Sequence, residues 1–372
     1  MRTLVVNLLV IIASILSGIG NVVLAQQSGE KFRLAIIGLI HSHAWGHLRN
    51  MVEIPGVELV AIAEPVADLQ QEAKKYAPNA KYYEDYHKML DEVKPEAVWA
   101  FVENNRHLEI VQVCAPKGIH CVFEKPLAST FSDAKKMAEL AKKHNILLMT
   151  NYQMAWWPTN YAAYNAAKEG KIGDVWRIHA IIGHGGPGKP LAPGQKKGPG
   201  DYFFAWLNDS VGNGGGAIID FGCYGSLWTC WYLGKPEVVQ AMVNLRNPNR
   251  YKVDDNAVIL CSYPKGVAIL EGSWSLPRGF QDLEVFGDKG SINITGQGAK
   301  IQIGRDQAQE LSVPALPESY KSPITYLASC ARQNKPLEGL VAPEINLDVC
   351  EILEAAKLSI STGKKITLPL SQ

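Results

Sequence analysis

The sequence predicts an α/β protein in two parts: a doubly wound parallel sheet, then an α+β domain with an open, mainly antiparallel sheet. Three observations carry this reading. In the first half, apolar runs that barely alternate recur between helical stretches, as expected of strands buried on both faces. A stretch rich in glycine and proline, Gly183 to Gly200, then breaks the pattern. Beyond it, short alternating segments follow one another across turns such as Pro264-Lys265-Gly266, the mark of hairpins.

The N-terminus stands apart. Arg2 is its one charge, followed by an apolar run from Leu4 to Ile19 and by Val23-Leu24-Ala25. That is the layout of an export signal with a small-residue cleavage site. A retained anchor needs about 20 unbroken apolar residues, whereas Asn7, Ser14, Ser17, Gly18, Gly20 and Asn21 interrupt this one. Residues 1–25 are therefore read as a signal peptide, and the mature chain as periplasmic or secreted with no membrane span.

Domain one is expected over 32–152, with strands at 32–39, 57–63, 80–83, 96–102, 119–123 and 146–150. Helices at 44–53, 66–76, 85–93, 105–117 and 131–144 separate them. Strands alternating with helices at this spacing make the dinucleotide-binding Rossmann sheet. Domain two, 153–372, is read as helix 158–169, strand 175–182, the loop 183–200, and a helix near 217–233. Strands at 237–245, 257–263, 266–275, 281–286 and 290–294 follow, and a helix at 345–362 ends the chain. A loop as long as 183–200 in a compact domain is often functional.

Charge excludes some partners. The chain has 37 lysines and arginines, one of them in the leader, against 36 acids. No basic run carries interleaved aromatics, so no nucleic-acid partner is expected. Its 7 cysteines are scattered without a CxxC pair, which speaks for buried thiols, with at most one unassigned bridge.

The first strand ends in Gly38-Leu39-Ile40-His41-Ser42-His43. Against the G-x-G-x-x-G fingerprint, Gly38 supplies the tight turn, while Ile40 and His43 stand where the other glycines belong. Glu64 ends the second strand, where a carboxylate can hold a ribose diol or simply remain solvated. No arginine follows it to meet a 2′-phosphate, so NAD is favoured over NADP. His41, His43 and His47 could serve a metal or an anion at a helix start. No third ligand is evident nearby, so no metal is assigned. Glu124-Lys125-Pro126 ends a buried strand at the ligand-binding edge, where a partly desolvated lysine can move a proton.

That E-K-P segment resembles the hallmark of the Gfo/Idh/MocA family. Further blocks extend the resemblance in order: Asn104 to His107, Gly170 to Val175, Gly214 to Gly222, Val253 to Ala257 with Ser273-Trp274, and Phe286 to Ser291. The resemblance implies NAD-dependent oxidoreductase chemistry on a sugar, glycoside or cyclitol. It also implies a second-domain sheet that often forms homo-oligomers. By position it makes Lys125 the catalytic lysine, Asp220 the substrate-site aspartate, and Tyr224 the occupant of a place usually held by histidine. Gly38, Ile40, His41, His43, Glu64, His107, Glu124 and Lys125 would border the cofactor. Lys125 and Tyr224 are then expected to form the proton-transfer pair, the ammonium favouring a phenolate. Tyr152, Trp156, Trp157, Tyr202, Phe203 and Trp206 are expected around a carbohydrate cleft. Two alternatives stay open: an NAD-assisted glycoside hydrolase or lyase, and an NAD-free sugar-binding module that kept the fold.

Overall fold

Alternate residues of the first strands serve two different cores. Leu34, Ile36, Trp99, Val122 and Met149 pack on one face of a sheet, and Ala35, Ile37, Val98, Cys121 and Phe123 on the other. A computed structural model describes residues 30–371 except 193 and 297; the expected leader lies outside them. Among the described residues no helix is long and apolar enough to cross a membrane.

The first sheet consists of β1 (Phe32–Ile37), β2 (Val57–Ala63), β3 (Lys81–Tyr83), β4 (Ala97–Ala100), β5 (His120–Glu124) and β6 (Leu148–Asn151). All pairs are parallel, in the order β3-β2-β1-β4-β5-β6. That is the doubly wound order, whose ligands bind beyond the carboxyl ends of the strands. Its helices are α1 (His43–Met51), α2 (Ala67–Ala73), α3 (Tyr86–Val93), α4 (His107–Cys114) and α5 (Phe131–His144). Local chemistry sets their ends. Asp85 accepts the His87 amide to start α3, and Thr130 accepts that of Asp133 to start α5, each satisfying an orphan donor of a first turn.

After α6 (Pro158–Lys168) the second sheet begins with β7 (Val175–Gly183). The glycine-rich stretch then leads to α7 (Pro199–Leu207), α8 (Ala217–Asp220) and α9 (Gly222–Leu233). The sheet continues through β8 (Val238–Asn244), β9 (Asn256–Tyr263), β10 (Gly266–Ser273), β11 (Phe280–Gly287), β12 (Gly290–Thr295), β13 (Gly298–Ile303) and β14 (Gln309–Glu310). α10 (Pro323–Gln333), α11 (Pro343–Thr362) and the short β15 (Ile366–Thr367) complete it. The strand order is β14-β13-β12-β11-β7-β10-β9-β8-β15. Every neighbouring pair is antiparallel except β7 with β10.

That exception matters for the site. β7 and β10 run together and stop together, Gly183 opposite Ser273. The residues that follow, His184 and Trp274, therefore emerge at one edge, and the His184 amide donates to the Ser273 carbonyl at 3.1 Å. The boundary near residue 152 separates two sheets but not two bodies, because the chain from Phe32 onward forms one compact unit. All 7 cysteines are buried free thiols, so no bridge forms among them.

Candidate active site

Successive residues of a strand point to opposite faces, and at the end of β5 this sends Glu124 one way and Lys125 the other. Lys125 reaches α8 of the second domain. Its Nζ donates to the Asp220 carbonyl at 2.8 Å and to the Asp220 carboxylate. Both residues are 6% exposed. Trp274 Nε1 donates to the other carboxylate oxygen of Asp220 at 2.8 Å. The sequence thus brings Lys125 and Asp220 together as expected, but as a closed ion pair.

Asp254 positions Asp220. Its two carboxylate oxygens accept the Gly216 and Ile218 amides, each at 2.8 Å, and so start α8. The Asp254 backbone lies so close that a Cβ on Gly216 would fall 1.9 Å from its carbonyl oxygen. Asp220 itself occupies the end of this one-turn helix rather than its start.

Burial works against both charges of the pair and loses. Desolvation would lower the Lys125 ammonium, but the Asp220 carboxylate beside it raises it well above the ordinary lysine value. Desolvation would likewise raise Asp220, and Lys125 holds it down. Lys125 is therefore a fixed ammonium donor.

The setting of Tyr224 opposes the expected role. It is buried, with its ring edge-on to Tyr152 at 5.3 Å, and the Lys125 ammonium lies 5.0 Å from its ring centre. Burial pushes its hydroxyl up, outweighing the opposing pull of Lys125. The expected phenolate is thus disfavoured, and Tyr224 serves Lys125 through its ring face.

A histidine that sequence reasoning passed over stands nearby. His184 packs edge-on against Phe221 at 5.1 Å, and Phe221 also faces Lys125 at 5.8 Å. The Gly186 amide donates to His184 Nδ1 at 2.9 Å, so the neutral ring carries its proton on Nε2. Burial, opposed by Asp220 and aided by Lys125, lowers its pKa. His184 and Phe221 border a cavity of about 770 Å³ that Arg278, Phe280, Gln281 and Asp282 also line. The signal in the sequence was its place, at a strand end where the long glycine-rich loop opens.

The other neighbour, Glu124, is 1% exposed and turns toward α1. Oε2 pairs with His43 Nδ1 at 2.8 Å, Oε1 accepts from Asn151 Nδ2 at 2.9 Å, and His47 Nε2 lies 3.6 Å away. Burial would raise this carboxyl, but His43, then His47 and His41, hold it well below the usual range. His41 lies against His43, Phe203 and Trp206. One donor atom each from His41, His43 and Glu124 fall within 4.8 Å of one another. Glu124 is thus the third neighbour that the sequence did not reveal.

The expected dinucleotide edge is present in part. Gly38 has φ +78°, and a Cβ there would sit 2.5 Å from Val102 Cγ1, so the turn at the end of β1 requires glycine. Ile40 follows, half-buried, where a bare backbone was absent from the fingerprint. Glu64 directly follows β2 and is 1% exposed. Its oxygens accept the Leu39 amide at 2.6 Å and the Val66 amide at 2.7 Å. Turn glycine and strand-end lysine fit a dinucleotide; Glu64 stands beside that edge and would have to release a backbone amide to meet a ribose. His107 faces inward instead. Fully buried, it meets the Leu127 carbonyl through Nδ1 at 2.9 Å and so braces the turn after Lys125-Pro126. The aromatic set also divides: Phe203 and Trp206 cover His41, whereas Trp156 and Trp157 line a separate cavity of about 790 Å³ with His47 and Trp99.

Known proteins agree with this architecture. Residues 32–152 match the oxidoreductase family with an NAD-binding Rossmann fold, and residues 162–293 match the GFO/IDH/MocA C-terminal domain. Myo-inositol 2-dehydrogenase of Thermotoga maritima is 26% identical over 268 residues, 70% of this chain and 74% of that protein. The scyllo-inositol 2-dehydrogenase (NAD(+)) of Bacillus subtilis is 25% identical over 343 residues, 86% of this chain and 92% of that one. The crystal structure of aldose-aldose oxidoreductase from Caulobacter crescentus shares the fold, with a TM-score of 0.76 and 21% identity over 91% of this chain and all 100% of that one. With the doubly wound sheet, the E-K-P strand end and both domain matches in hand, the chain belongs to the Gfo/Idh/MocA family of oxidoreductases, and its first domain is that family's NAD-binding Rossmann domain.

Proposed function

We propose that the protein transfers hydride between NAD and a hydroxyl-bearing carbon of a sugar, glycoside or cyclitol, and that it does so outside the cytoplasm. The observation that carries this is the buried Lys125–Asp220 pair, which ties the strand end of the Rossmann sheet to α8, beside the Phe221 and His184 that border the second-domain cavity. Bound NAD supplies the hydride acceptor or donor. Lys125 presents an N–H to the reacting oxygen and stabilises charge there in a water-poor setting. Asp220 keeps that ammonium charged and aimed. His184 Nε2–H offers a second donor across the face of Phe221, and that ring suits the C–H face of a sugar or cyclitol. Glu64 favours NAD over NADP, because a 2′-phosphate beside a carboxylate meets repulsion.

The relatives named as inositol dehydrogenases set the first substrates to try. Purified full-length chain with NAD is offered myo-inositol, scyllo-inositol, glucose and methyl glucosides, with absorbance at 340 nm as readout. NADH formation with at least one, lost in Lys125→Ala, is expected. Neither NADH formation nor co-purified NAD across that panel would sink the redox reading. Sequencing the N-terminus of the periplasmic protein should find Gln26 or a near neighbour; an intact Met1 would contradict export. The exposed side of the second sheet carries Met242, Val258 and Leu260, and a homo-oligomer through it should sediment above the 40.8 kDa of one chain.

A further inference from the structure

The loop between β1 and α1 departs from the dinucleotide fingerprint by carrying imidazoles, and those imidazoles gather around one carboxylate. His43 Nδ1 stands 2.8 Å from Glu124 Oε2. The rings of His41 and His43 lie 4.5 Å apart, centre to centre. The three residues offer donor atoms that all lie within 4.8 Å of one another. We propose that His41, His43 and Glu124 bind a divalent transition ion of the zinc class. The inference rests on this cluster and not on the redox assignment.

The donor set and spacing suit such an ion. Zinc takes imidazole nitrogen and carboxylate oxygen at about 2.0–2.2 Å, which places tetrahedral donors roughly 3.3 Å apart. The His43–Glu124 contact need open by only a few tenths of an ångström for the ion to replace the proton between them. One ring nitrogen of His41 lies within 4.8 Å of the other two donor atoms and would draw in to complete the set. Two imidazoles and one carboxylate select zinc, cobalt or nickel over magnesium and calcium, which prefer all-oxygen shells.

The surroundings resemble a supporting shell. Asn151 Nδ2 holds the second Glu124 oxygen at 2.9 Å, and Trp156 Nε1 in turn donates to Asn151 Oδ1 at 2.8 Å. His47 stands 3.6 Å from that same oxygen. Phe203 and Trp206 wall off His41, with ring centres at 4.9 and 5.6 Å. Such outer partners orient metal ligands and sharpen their geometry. Phe203 and Trp206 close the cluster on the His41 side, and the 22% exposure of the His43 side chain leaves a way in. An ion here would also put positive charge beside a loop that lacks two of the fingerprint glycines for cradling a pyrophosphate.

Full-length protein, stripped with EDTA and dialysed, is titrated calorimetrically with zinc chloride and, in parallel, with cobalt chloride read by visible absorbance. One tight site per chain and a cobalt d–d band are expected. His43→Ala and Glu124→Gln should each weaken zinc binding by 100-fold or more and abolish the band. His47→Ala, in the outer layer, should weaken it by about 10- to 100-fold. Should Glu124→Gln misfold by circular dichroism, His43→Ala carries the comparison, because its ring is partly exposed. Absence of saturable binding, or binding that survives both ligand substitutions unchanged, overturns the site. NADH fluorescence titration of the same samples keeps the two assignments apart. Loss of NADH binding with zinc binding intact defeats the cofactor reading alone, and the converse defeats only the metal.

Discussion

Glu124 and Lys125 are adjacent in the chain, yet they sit in opposite electrostatic settings. Lys125 faces one full charge, the Asp220 carboxylate, and its own charge is fixed by it. Glu124 faces the imidazoles of His43 and His47, with His41 close by, and the neutral amide of Asn151; an imidazole can stand neutral or charged near neutral pH. The difference shows how a single strand end can serve two purposes. One side is a permanent ion pair suited to holding a proton donor in place, and the other is a polar cluster that can change its charge.

The sharpest way to break the contrast is to remove Lys125. Lys125→Ala should abolish turnover, and it should also destabilise the protein by about 3–5 kcal/mol, because Asp220 is left buried and unpaired. The double variant Lys125→Met with Asp220→Leu separates the two effects. It should recover most of the stability, since a hydrophobic pair often replaces a buried ion pair at little cost, and remain inactive. Urea unfolding and a single-turnover assay decide; activity in the double variant would remove the lysine from the chemistry.

On the imidazole side, pH is the probe. Burial lowers His107 from an ordinary 6.5 to about 4 in the folded protein. Between those values the unfolded chain binds a proton that the folded chain does not, so stability falls as pH falls through that window. From pH 7 to 4.5 this one site should cost about 2–3 kcal/mol. His41 and His47, also lowered by burial, act in the same direction. His107→Gln, which keeps a donor for the Leu127 carbonyl, should flatten the dependence by that amount. Superimposable unfolding curves against pH for the two proteins would assign the acid loss elsewhere.

The cofactor edge sharpens the comparison further. Each charge-assisted contact from Glu64 to a ribose hydroxyl is worth about 1.5–3 kcal/mol at most, so Glu64→Ala should weaken NAD by roughly tenfold or more and narrow its advantage over NADP. Calorimetry with both cofactors tests this, and equal affinity in the unsubstituted protein would remove the assignment. The smallest effect is expected at Tyr224. Tyr224→Phe keeps the ring beneath the ammonium and should lower the maximal rate less than about tenfold, whereas general acid/base groups are worth about 10²-fold or more. A 100-fold loss would restore the hydroxyl to the proton path.

Much of the fold could be read directly because burial on both sides writes itself into sequence. The runs around Ala97–Ala100 and His120–Glu124 are apolar without alternation, and only a covered parallel sheet tolerates that. Other elements were hidden for physical reasons. α7 opens with Pro199-Gly200, which reads as loop by composition. In fact Pro199 sits in the first turn and Asp201 accepts the Gly198 amide at 2.7 Å, both helix-start signals. α10 begins in the same manner, Ser322 capping ahead of Pro323. β14 is two exposed residues long and has no apolar pattern to display.

The site was legible where it depends on a strand end and illegible where it depends on a crossing of distant segments. Lys125 and Asp220 could be named by position, but their direct pairing needs β5 and α8 to meet. His184 and Trp274 reach Asp220's neighbourhood because β7 and β10 happen to run parallel, and no local pattern announces that. Tyr224 and His107 were assigned by position as well. Burial, which a single sequence shows poorly for aromatic and imidazole side chains, sets both against those expectations.

Arg250 gives the glycine-rich loop an unusual property. Its Nε donates to the Gly188 carbonyl at 2.6 Å and a terminal nitrogen to the Gly185 carbonyl at 3.0 Å. Both anchors are main-chain oxygens, which every residue type possesses. The path of the loop is thereby staked from outside by one guanidinium, independent of most of the side chains along it. Substitutions in the side chains that follow Gly188 should therefore leave both anchors in place, and with them the loop's exit from β7 at His184.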